Sequence, residues 1–433
     1  MVEPLRLGIA GLGTVGAAVV RLLTSQARDL AARTGRAIVV TGVSAREPSR
    51  DRGIDLAGVE WFSDPVALAQ SENIDLFVEL IGGDEGVARK SVEAALRANH
   101  SVVTANKALL AKHGLELASL AESHHVALAF EASVAGGIPI VKTLREGLAG
   151  NSVARVSGIL NGTCNYILSR MELEGLSFAE CLSEAQKLGY AEADPTFDIG
   201  GFDTAHKLAI LASLAFGVKL DADAISIEGI EQISLADLKA AAELGYRVKL
   251  LGVAQRTPHG VEQRVHPTMV PLSSAIAQVM GVTNAVTIDA DAVNELTLVG
   301  PGAGGMATAS AVVADIADIA RGIRSAPFGL PVDHLATAQK TPIQRHEGGY
   351  YIRLAARNHI GAAAAIASRM AERGISLESI VQRRTAGEPD ADIVPVVLMT
   401  YATTEATIRE ALAAIVADGH IAEKPQVIRI ERE

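Results

Sequence analysis

Residues 5–23, LRLGIAGLGTVGAAVVRLL, decide the fold of the first part of the chain. A short apolar run leads into the turn Gly11-Leu12-Gly13-Thr14-Val15-Gly16, and residues with the apolar spacing of a helix follow. In this arrangement, backbone N–H groups approach a pyrophosphate at a helix N-terminus. The stretch therefore predicts a Rossmann-type nucleotide-binding domain whose cofactor lies on this turn. The alternative is a glycine turn that only packs the strand against the helix.

The second predicted strand, residues 37–44, bears on which dinucleotide binds. It ends without the Asp or Glu that would contact a free ribose 2′-hydroxyl, and Arg46, Arg50 and Arg52 follow it. Guanidinium groups suit a 2′-phosphate, so the sequence favours NADP over NAD. The alternative is that these arginines are solvated loop charges.

Two more strand–loop–helix units follow, and the strand at residues 101–104 ends at Thr104. Lys107, three residues later, is therefore predicted at the carboxyl edge of the parallel sheet, where such folds bind ligands. The next segment contains Gly136 and Gly137, which allow either a plain bend into a new domain or a cage of carbonyl groups around a hard cation. The residues by themselves favour the bend.

Residues 186–217 contain a loop with four carboxylates, broken by glycine and proline, that leads into an apolar helix. The four are Glu192, Asp194, Asp198 and Asp203. Asp203 is predicted to cap the helix, and Lys207 lies one turn later on the same side. An exposed ion pair is one interpretation. The crowding of carboxylates beside a partly buried lysine favours the other, a pocket for a cationic ligand.

Two further motifs are candidates for the site. Cys164 lies in a predicted turn at 161–165, just before a predicted helix, and a position near a helix N-terminus lowers a thiol pKa and would suit a nucleophile. No histidine stands beside it in the sequence, however, and a free cysteine is commonly a small buried hydrophobe. Residues 301–305, PGAGG, precede another helix and predict a second wall of the cofactor site that includes Gly304.

Composition limits the function classes. The chain has 433 residues, 49% of them hydrophobic, which is enough for two or three domain cores. The net charge of −11, without a basic block, argues against nucleic-acid binding. The N-terminal residues enter a strand without a signal-peptide pattern, and no apolar run reaches the length of a membrane span. Two cysteines give no disulfide framework, so a cytoplasmic location is predicted.

The chain resembles the homoserine dehydrogenase family over essentially its whole length, and its tail resembles an ACT domain. The matching motifs are GLGTVG, TANKALLA, EASVAGGIPI, GILNGTCNYIL, LGYAEADPTFDIGGFDTAHKLAIL and GPGAGG. After residue 348, the sequence pattern predicts a strand, a helix, two strands, a helix and a strand. Together with the resemblance, this indicates an α/β fold of three domains. These are a Rossmann-type domain at 1–137 plus about 301–325, an α+β catalytic and dimerisation domain at 138–300 and, after a linker at 326–348, a ferredoxin-like βαββαβ ACT domain at 349–433.

The resemblance also implies reversible NAD(P)H-dependent reduction of L-aspartate 4-semialdehyde to L-homoserine, in threonine, isoleucine and methionine biosynthesis. It implies a homo-oligomer, a dimer or tetramer. By motif, Lys207 takes the place of the proton donor and Lys107 lies at the nicotinamide and substrate. Gly189, Glu192, Asp198 and Asp203 are expected around the substrate. The carbonyls of Glu131, Val134, Gly136 and Ile138 match a monovalent-cation site, expected to hold sodium, which reverses the preference for a plain bend.

This chain departs from the ACT-domain pattern at the turn before the first helix of that domain. In ACT domains this turn commonly has an Asp-x-Pro-Gly-like sequence that helps to form an effector site. This chain has Asn358-His359-Ile360-Gly361, so feedback inhibition by L-threonine is a hypothesis. Two rival functions remain open at this point. One is a semialdehyde dehydrogenase with Cys164 as nucleophile, and the other is a non-catalytic amino-acid sensor that retains NADP.

Overall fold

The computed structural model describes residues 3–339, 341–382 and 392–431, and a six-stranded parallel sheet carries the glycine-rich turn. Its strands are β1 (Leu5–Ala10), β2 (Ile38–Ser44), β3 (Glu60–Phe62), β4 (Leu76–Glu79), β5 (Ser101–Thr104) and β6 (Leu128–Ala129), in the order β3-β2-β1-β4-β5-β6. Its helices are α1 (Thr14–Ser25), α2 (Ala27–Thr34), α3 (Pro65–Ala69), α4 (Val87–Arg97) and α5 (Lys107–Ser123). The strand order reverses between β1 and β4, which places the ligand crevice of such a fold beyond the end of β1.

A second, antiparallel sheet follows in the chain. Before it lies α6 (Ile140–Lys142), and its main strands are β7 (Val153–Ile159), β9 (Tyr246–Thr257), β10 (Gly260–Pro271), β11 (Thr283–Ala290) and β12 (Asn294–Pro301), in the order β12-β11-β7-β9-β10. Between β7 and β9 lie α7 (Gly162–Glu174), α8 (Phe178–Lys187), α9 (Thr196–Ile199), α10 (Phe202–Phe216), β8 (Ser226–Ile227) and α11 (Leu235–Glu243). Because α10 is apolar on nearly every side, it is buried almost throughout, in contact with β7, β9 and α5.

Helix α12 (Gly305–Ala320) packs against elements of the parallel sheet's domain. Its Val312 and Ile316 share one buried cluster with Ile9 and Val19, and the helix packs directly on α1. The second glycine loop is thereby placed beside the first.

The tail has the predicted βαββαβ order. Its elements are β13 (Glu347–Arg357), α13 (Ala362–Glu372), β14 (Leu377–Gln382), β15 (Ile393–Thr400), the short β16 (Thr403–Thr404), α14 (Glu405–Ala417) and β17 (Gln426–Ile430). The sequence predicts the second strand of this unit over 375–384 and the third over 391–403, and residues 383, 384 and 391 lie outside the described residues. Strand β17 pairs with β13 on one side and, in parallel, with β10 on the other, so the tail sheet is continuous with the second-domain sheet.

Two local predictions were wrong. Helix α10 begins one residue before Asp203, and Gly201, with a φ of +88°, is its N-cap; Asp203 lies in the first turn. Residues 162–165 belong to α7 rather than to a turn, because the side chain of Asn161 accepts a hydrogen bond from the Cys164 N–H and caps that helix.

The predicted linker is packed on the second domain, where Ala336 forms a bridge with Val218. Among the described residues, no helix has both the length and the apolar character needed to cross a bilayer.

Candidate active site

The predicted acidic residue Asp203 and the two predicted lysines form one cluster. Asp203 is 3% exposed, because the first turn of α10 is inserted between the second sheet and α5. Its Oδ2 accepts a hydrogen bond from Lys207 Nζ at 2.8 Å, and its Oδ1 lies 3.1 Å from Lys107 Nζ. Lys207 comes from the same helix and Lys107 from the N-terminus of α5, so this contact joins the first domain to the second.

Asn161 and the Leu160 carbonyl complete this cluster, and the sequence did not single them out. Asn161 Nδ2 donates to Asp203 Oδ2 at 2.9 Å and to Asp198 Oδ1 at 2.8 Å. Lys207 Nζ donates to the Leu160 carbonyl at 2.7 Å. An asparagine at the start of a predicted helix is a recognisable N-cap. Its second role, towards two carboxylates about 40 residues away, depends on tertiary packing.

Burial and charge act in opposite directions on these groups. Burial lowers the pKa of the Lys207 ammonium, Asp203 acts to raise it, and Lys107 adds a further lowering effect. For Asp203, burial acts to raise the pKa, but the two lysines and two hydrogen bonds outweigh it and lower the pKa. Burial raises the pKa of Asp198. The cluster therefore holds a charged carboxylate against a lysine that gives up its proton more readily than a solvated one.

The loop before α9 does not bring all its predicted residues to the cluster. Glu192 is exposed and, among the described residues, its carboxylate makes no hydrogen bond or ion pair; Gly189, with a φ of +76°, is exposed in the same loop. Asp194 accepts the Thr196 N–H at 3.1 Å and so holds the loop. Of the predicted substrate residues, Asp198 and Asp203 are thus part of the cluster, while Gly189 and Glu192 lie on a solvent-facing segment.

Cys164 is poorly suited to be a nucleophile. Its thiol is buried and donates to the Asp198 carbonyl, and burial raises its pKa well above the ordinary value. A thiol in that state does not supply a thiolate near neutral pH. His206, beside Lys207 in the sequence, packs edge-on against Phe197, and its buried Nδ1 has no partner among the described residues.

A cleft of about 720 Å³ lies at the end of β1 and contains the predicted cofactor turn. Gly11 has a φ of +98°, and a Cβ on it would lie 2.3 Å from the Leu80 carbonyl oxygen; a Cβ on Gly16 would lie 2.0 Å from the Gly11 carbonyl oxygen. These two glycines are required for packing. In the described part of the chain, no atom lies within 4 Å of a Cβ built on Gly13, the N-cap of α1, so the backbone there is open to a ligand. This is the geometry that a pyrophosphate at a helix N-terminus needs.

The arginines after β2 divide into two groups. Arg46 and Arg50 line the cleft and are exposed. Arg52 also lines the cleft, but it is half-buried, donates to the Leu12, Arg50 and Glu47 carbonyls and lies over the Trp61 ring, so it holds the loop in place. Glu47 also lines the cleft, so a carboxylate does lie near the end of β2.

A buried polar network positions Lys107. Thr104 donates to Glu79 at 2.5 Å, and Glu79 accepts the N–H groups of Ile81 and Gly82 with its other oxygen. Asn106 caps α5, the helix that starts at Lys107, by accepting the Leu109 N–H. Glu79 was missed from the sequence because a carboxylate at a strand end gives no sign that it will be fully buried.

The second glycine loop packs between the cofactor turn and the predicted cation segment. A Cβ on Gly305 would lie 2.9 Å from the Thr14 side chain, and a Cβ on Gly136 would lie 2.5 Å from the Gly302 carbonyl oxygen. Gly304, with a φ of +113°, is exposed at the N-terminus of α12. The loop thus lies beside both segments.

The residues of the predicted cation segment are almost all buried. Burial and the nearby Asp315 raise the pKa of Glu131 to about 7, and its carboxylate accepts the Val141 and Lys142 N–H groups. Within the described part of the chain, the loop hydrogen bonds leave the carbonyl oxygens of Val134 and Gly136 without a partner, whereas Ile138 O accepts the Ile140 N–H.

Comparisons with known proteins agree with this geometry. Three family models match consecutive parts of the chain: "Homoserine dehydrogenase, NAD binding domain" at 11–131, "Homoserine dehydrogenase" at 139–317 and "ACT domain" at 350–417. The homoserine dehydrogenase of Pseudomonas aeruginosa is 44% identical, with 99% of each chain covered. The crystal structure of a homoserine dehydrogenase from Thiobacillus denitrificans has a TM-score of 0.93 at 42% identity, covering 99% of this chain and 98% of its own.

A hyperthermophilic archaeal homoserine dehydrogenase in complex with NADPH is also similar, with a TM-score of 0.63 at 28% identity, covering 74% of this chain and 99% of its own. The fold, the clustered lysines and the full-length relatives lead to one conclusion: this chain belongs to the homoserine dehydrogenase family of NAD(P)-dependent oxidoreductases and ends in an ACT domain.

Proposed function

We propose that the chain reduces L-aspartate 4-semialdehyde reversibly to L-homoserine with NAD(P)H, using Lys207 as the proton donor. The observation that carries the assignment of roles is the Asp203 carboxylate held between Lys207 at 2.8 Å and Lys107 at 3.1 Å. Those three groups come from two domains, and Lys107 follows strand β5 of the same parallel sheet whose strand β1 leads into the glycine-rich turn.

The chemistry needs a proton as well as a hydride. When the cofactor's hydride reaches the aldehyde carbon, negative charge develops on oxygen, and an ammonium group stabilises that charge and then protonates the oxygen. In the oxidation direction, Lys207 accepts the proton from the homoserine hydroxyl and must first be neutral. Its lowered pKa makes the neutral form accessible at a lower pH than for a solvated lysine.

Carboxylates around the cluster are proposed to hold the substrate ammonium group. Asp203 and Asp198 are in place, joined through Asn161. Glu192 and Gly189 are proposed to contact the substrate from the exposed loop before α9. A second cation, Lys107, is proposed to lie at the nicotinamide and the substrate carboxylate, because it starts the helix at the edge of the parallel sheet.

NADP is proposed as the preferred dinucleotide. Arg46 and Arg50 line the cleft with exposed guanidinium groups suited to a 2′-phosphate. The diphosphate would lie on residues 11–16, with Gly304 and Thr104 on neighbouring walls. Because Glu47 shares this cleft, it offers a free ribose hydroxyl a hydrogen-bond acceptor, which supports binding of NAD as well.

A monovalent cation, sodium, is proposed at the carbonyls of Glu131, Val134, Gly136 and Ile138. The carbonyl oxygens of Val134 and Gly136, which have no backbone partner among the described residues, suit a hard cation, and the positive φ of Gly136, +55°, turns the chain sharply at this point. The cation would tie the start of the second domain to the glycine loop at 301–305. Replacing sodium by tetramethylammonium should lower the melting temperature, and an unchanged melting temperature would count against the site.

The domain division predicted from the sequence is retained as a proposal, supported by the packing of α12 on α1. A homodimer or tetramer formed through the middle domain is proposed on the basis of β12, an edge strand with Val299 exposed. Light scattering of the purified chain would test it. A cytoplasmic location rests on Cys164 and Cys181, both buried and unpaired.

L-threonine is proposed as the effector of the ACT domain. A cleft of about 220 Å³ lies at the start of α13, lined by Asn358, His359 and Gly361 among others. The Gly361 φ of +92° opens the turn even though its proline is absent. Millimolar threonine is expected to inhibit, and unchanged activity would contradict the proposal.

The reaction is tested by following NADP reduction by absorbance with L-homoserine at alkaline pH. Turnover with NADP, and a weaker rate with NAD, is the expected result. A folded protein that reduces neither cofactor would refute the assignment and favour the sensor function.

A further inference from the structure

A short segment between the active-site helix and the ACT domain connects the two. Strand β8 pairs in parallel with β10, and directly after it the Glu228 N–H donates to the Val265 carbonyl at 2.8 Å. Two residues further on, the Ile230 N–H donates to the Ile199 carbonyl at 2.9 Å. The segment therefore lies against the turn from which α10 starts.

The contact between this segment and that turn is very close. A Cβ on Gly229 would lie 2.3 Å from the Ile199 carbonyl oxygen and 2.8 Å from Gly200 Cα, so the two backbones touch. Gly201 has a φ of +88°, and a Cβ on it would lie 3.0 Å from the Val265 side chain. Asp203 is two residues beyond this packed turn. A displacement of residues 228–230 would therefore move the first turn of α10.

The ACT domain reaches the same segment through a buried arginine. Arg429, in the last strand β17, is 3% exposed. Its guanidinium donates to both oxygens of Glu228 at 2.9 Å and to both oxygens of Glu405, at the start of α14, at 2.9 and 3.0 Å. Bidentate pairs of this kind fix geometry as well as adding binding energy. Glu228 thus belongs by sequence to the second domain, but an arginine of the ACT domain holds its side chain in place.

We infer that Glu228 is a positioning residue of the active site: Arg429 holds it, its backbone segment holds the turn 199–201, and that turn sets the position of Asp203 between the two lysines. The ACT domain thereby has a direct mechanical connection to the catalytic cluster. This inference rests on the proposed function only for its activity measurements.

The expected consequence follows from the charges around Lys207. Asp203, Lys107 and Asp198 are the charged groups that act on it; Asp203 favours its charged form and Lys107 opposes it. If Asp203 is held less firmly, the charged form of Lys207 loses support. In homoserine oxidation, which needs neutral Lys207, the pH of half-maximal kcat should then move to lower values.

The test compares two substitutions that remove a carboxylate from the same arginine. Glu228→Gln loosens the segment at the active site. Glu405→Gln instead perturbs Arg429 from α14, and among the described residues α14 makes no backbone hydrogen bond with the turn 199–201. We expect kcat for homoserine oxidation to fall about tenfold in E228Q, with its pH profile moved to lower pH. E405Q should keep the wild-type kcat and profile, although it is the more buried of the two carboxylates.

Amide hydrogen exchange gives a measurement that does not depend on activity. In E228Q, the Ile230 and Ala205 amides, which donate to Ile199 and Gly201, should exchange faster than in the wild type, and in E405Q they should not. Equal effects of the two variants on kcat, or unchanged exchange and kcat in E228Q, would overturn the inference. Absence of turnover in the wild type would instead refute the proposed function, and the exchange comparison would still decide the inference.

Discussion

Replacing Lys207 by methionine tests the proton donor most directly. Methionine keeps an unbranched side chain of similar length and removes the ammonium group. The substitution leaves Asp203 in contact with Lys107 at 3.1 Å and with Asn161 at 2.9 Å, so no buried charge is left without a partner. For this reason the free energy of unfolding should change little, in contrast to the 3–5 kcal/mol typical when a buried charge loses its partner.

The effect on catalysis should be much larger. Positioned general acids and bases typically contribute about 10²–10⁴-fold to the rate. Loss of a single charge-stabilising donor typically costs about 10²–10³-fold in kcat. Because one group serves both purposes here, we expect kcat to fall by about 10³-fold, which corresponds to ~4 kcal/mol in the activation free energy. The residual rate is expected to come from Lys107, which is proposed to lie near the substrate.

Lys249 provides a matched control. It is a second buried lysine, 1% exposed, whose Nζ contacts the neutral Asn165 side chain and the Val279 carbonyl, and burial lowers its pKa to about 7. Lys249→Met makes the same chemical change in the same domain, at a lysine that hydrogen-bonds Asn165 and Val279 rather than the Asp203 cluster. Its kcat should stay within about twofold of the wild type, since a group outside the site removes no interaction made in the transition state.

The assay follows NADP reduction with L-homoserine at alkaline pH for the wild type and both variants, with thermal unfolding measured in parallel. The reasoning would be refuted if folded Lys207→Met kept more than about a tenth of the wild-type kcat. Such a variant would have lost less than about tenfold, which is smaller than the contribution that a general acid or base normally makes. Equal losses in both variants would show that burying methionine, rather than removing the proton donor, impairs the enzyme.

Three further predictions concern the pH profile, the thiol and the cofactor. The acid limb of the kcat profile for homoserine oxidation should lie below pH 10.5, because burial lowers the pKa of Lys207. Asp203→Asn should move this limb to still lower pH, because the Asp203 charge raises the pKa of Lys207. An acid limb that stays in place in this variant would contradict that effect of Asp203. Cys164→Ala should retain full kcat, since the buried thiol has a raised pKa. A large loss of kcat would instead favour a semialdehyde dehydrogenase with Cys164 as nucleophile. The double variant Arg46→Ala, Arg50→Ala should raise KM for NADP about tenfold, because charge-assisted contacts to the 2′-phosphate are lost. KM for NAD should stay unchanged. Equal changes of KM for both cofactors would refute the role of these arginines in binding the 2′-phosphate.

Much of the fold was predictable from the sequence because its signals are local. The glycine turn at 11–16 between a strand and a helix, the strand end at Thr104 and the βαββαβ order of the tail depend on residues near one another in the chain. Asp203 and Lys207 share one helix face for the same reason, since residues four apart lie on the same side of a helix.

Tertiary structure decided what depends on contacts between distant segments. Lys107 reaches Asp203 only because α5 and α10 pack together across the domain junction, and Asn161 joins two carboxylates only because α7 starts beside the turn before α10. Burial also separated residues that look alike in the sequence: Asp203 is buried between two lysines, while Glu192 is exposed on the neighbouring loop. The sequence by itself thus determined the elements and the candidate chemical groups. Packing determined their distances, their exposure to water and hence their pKa shifts, because charge interactions and desolvation depend on where the chain folds back on itself.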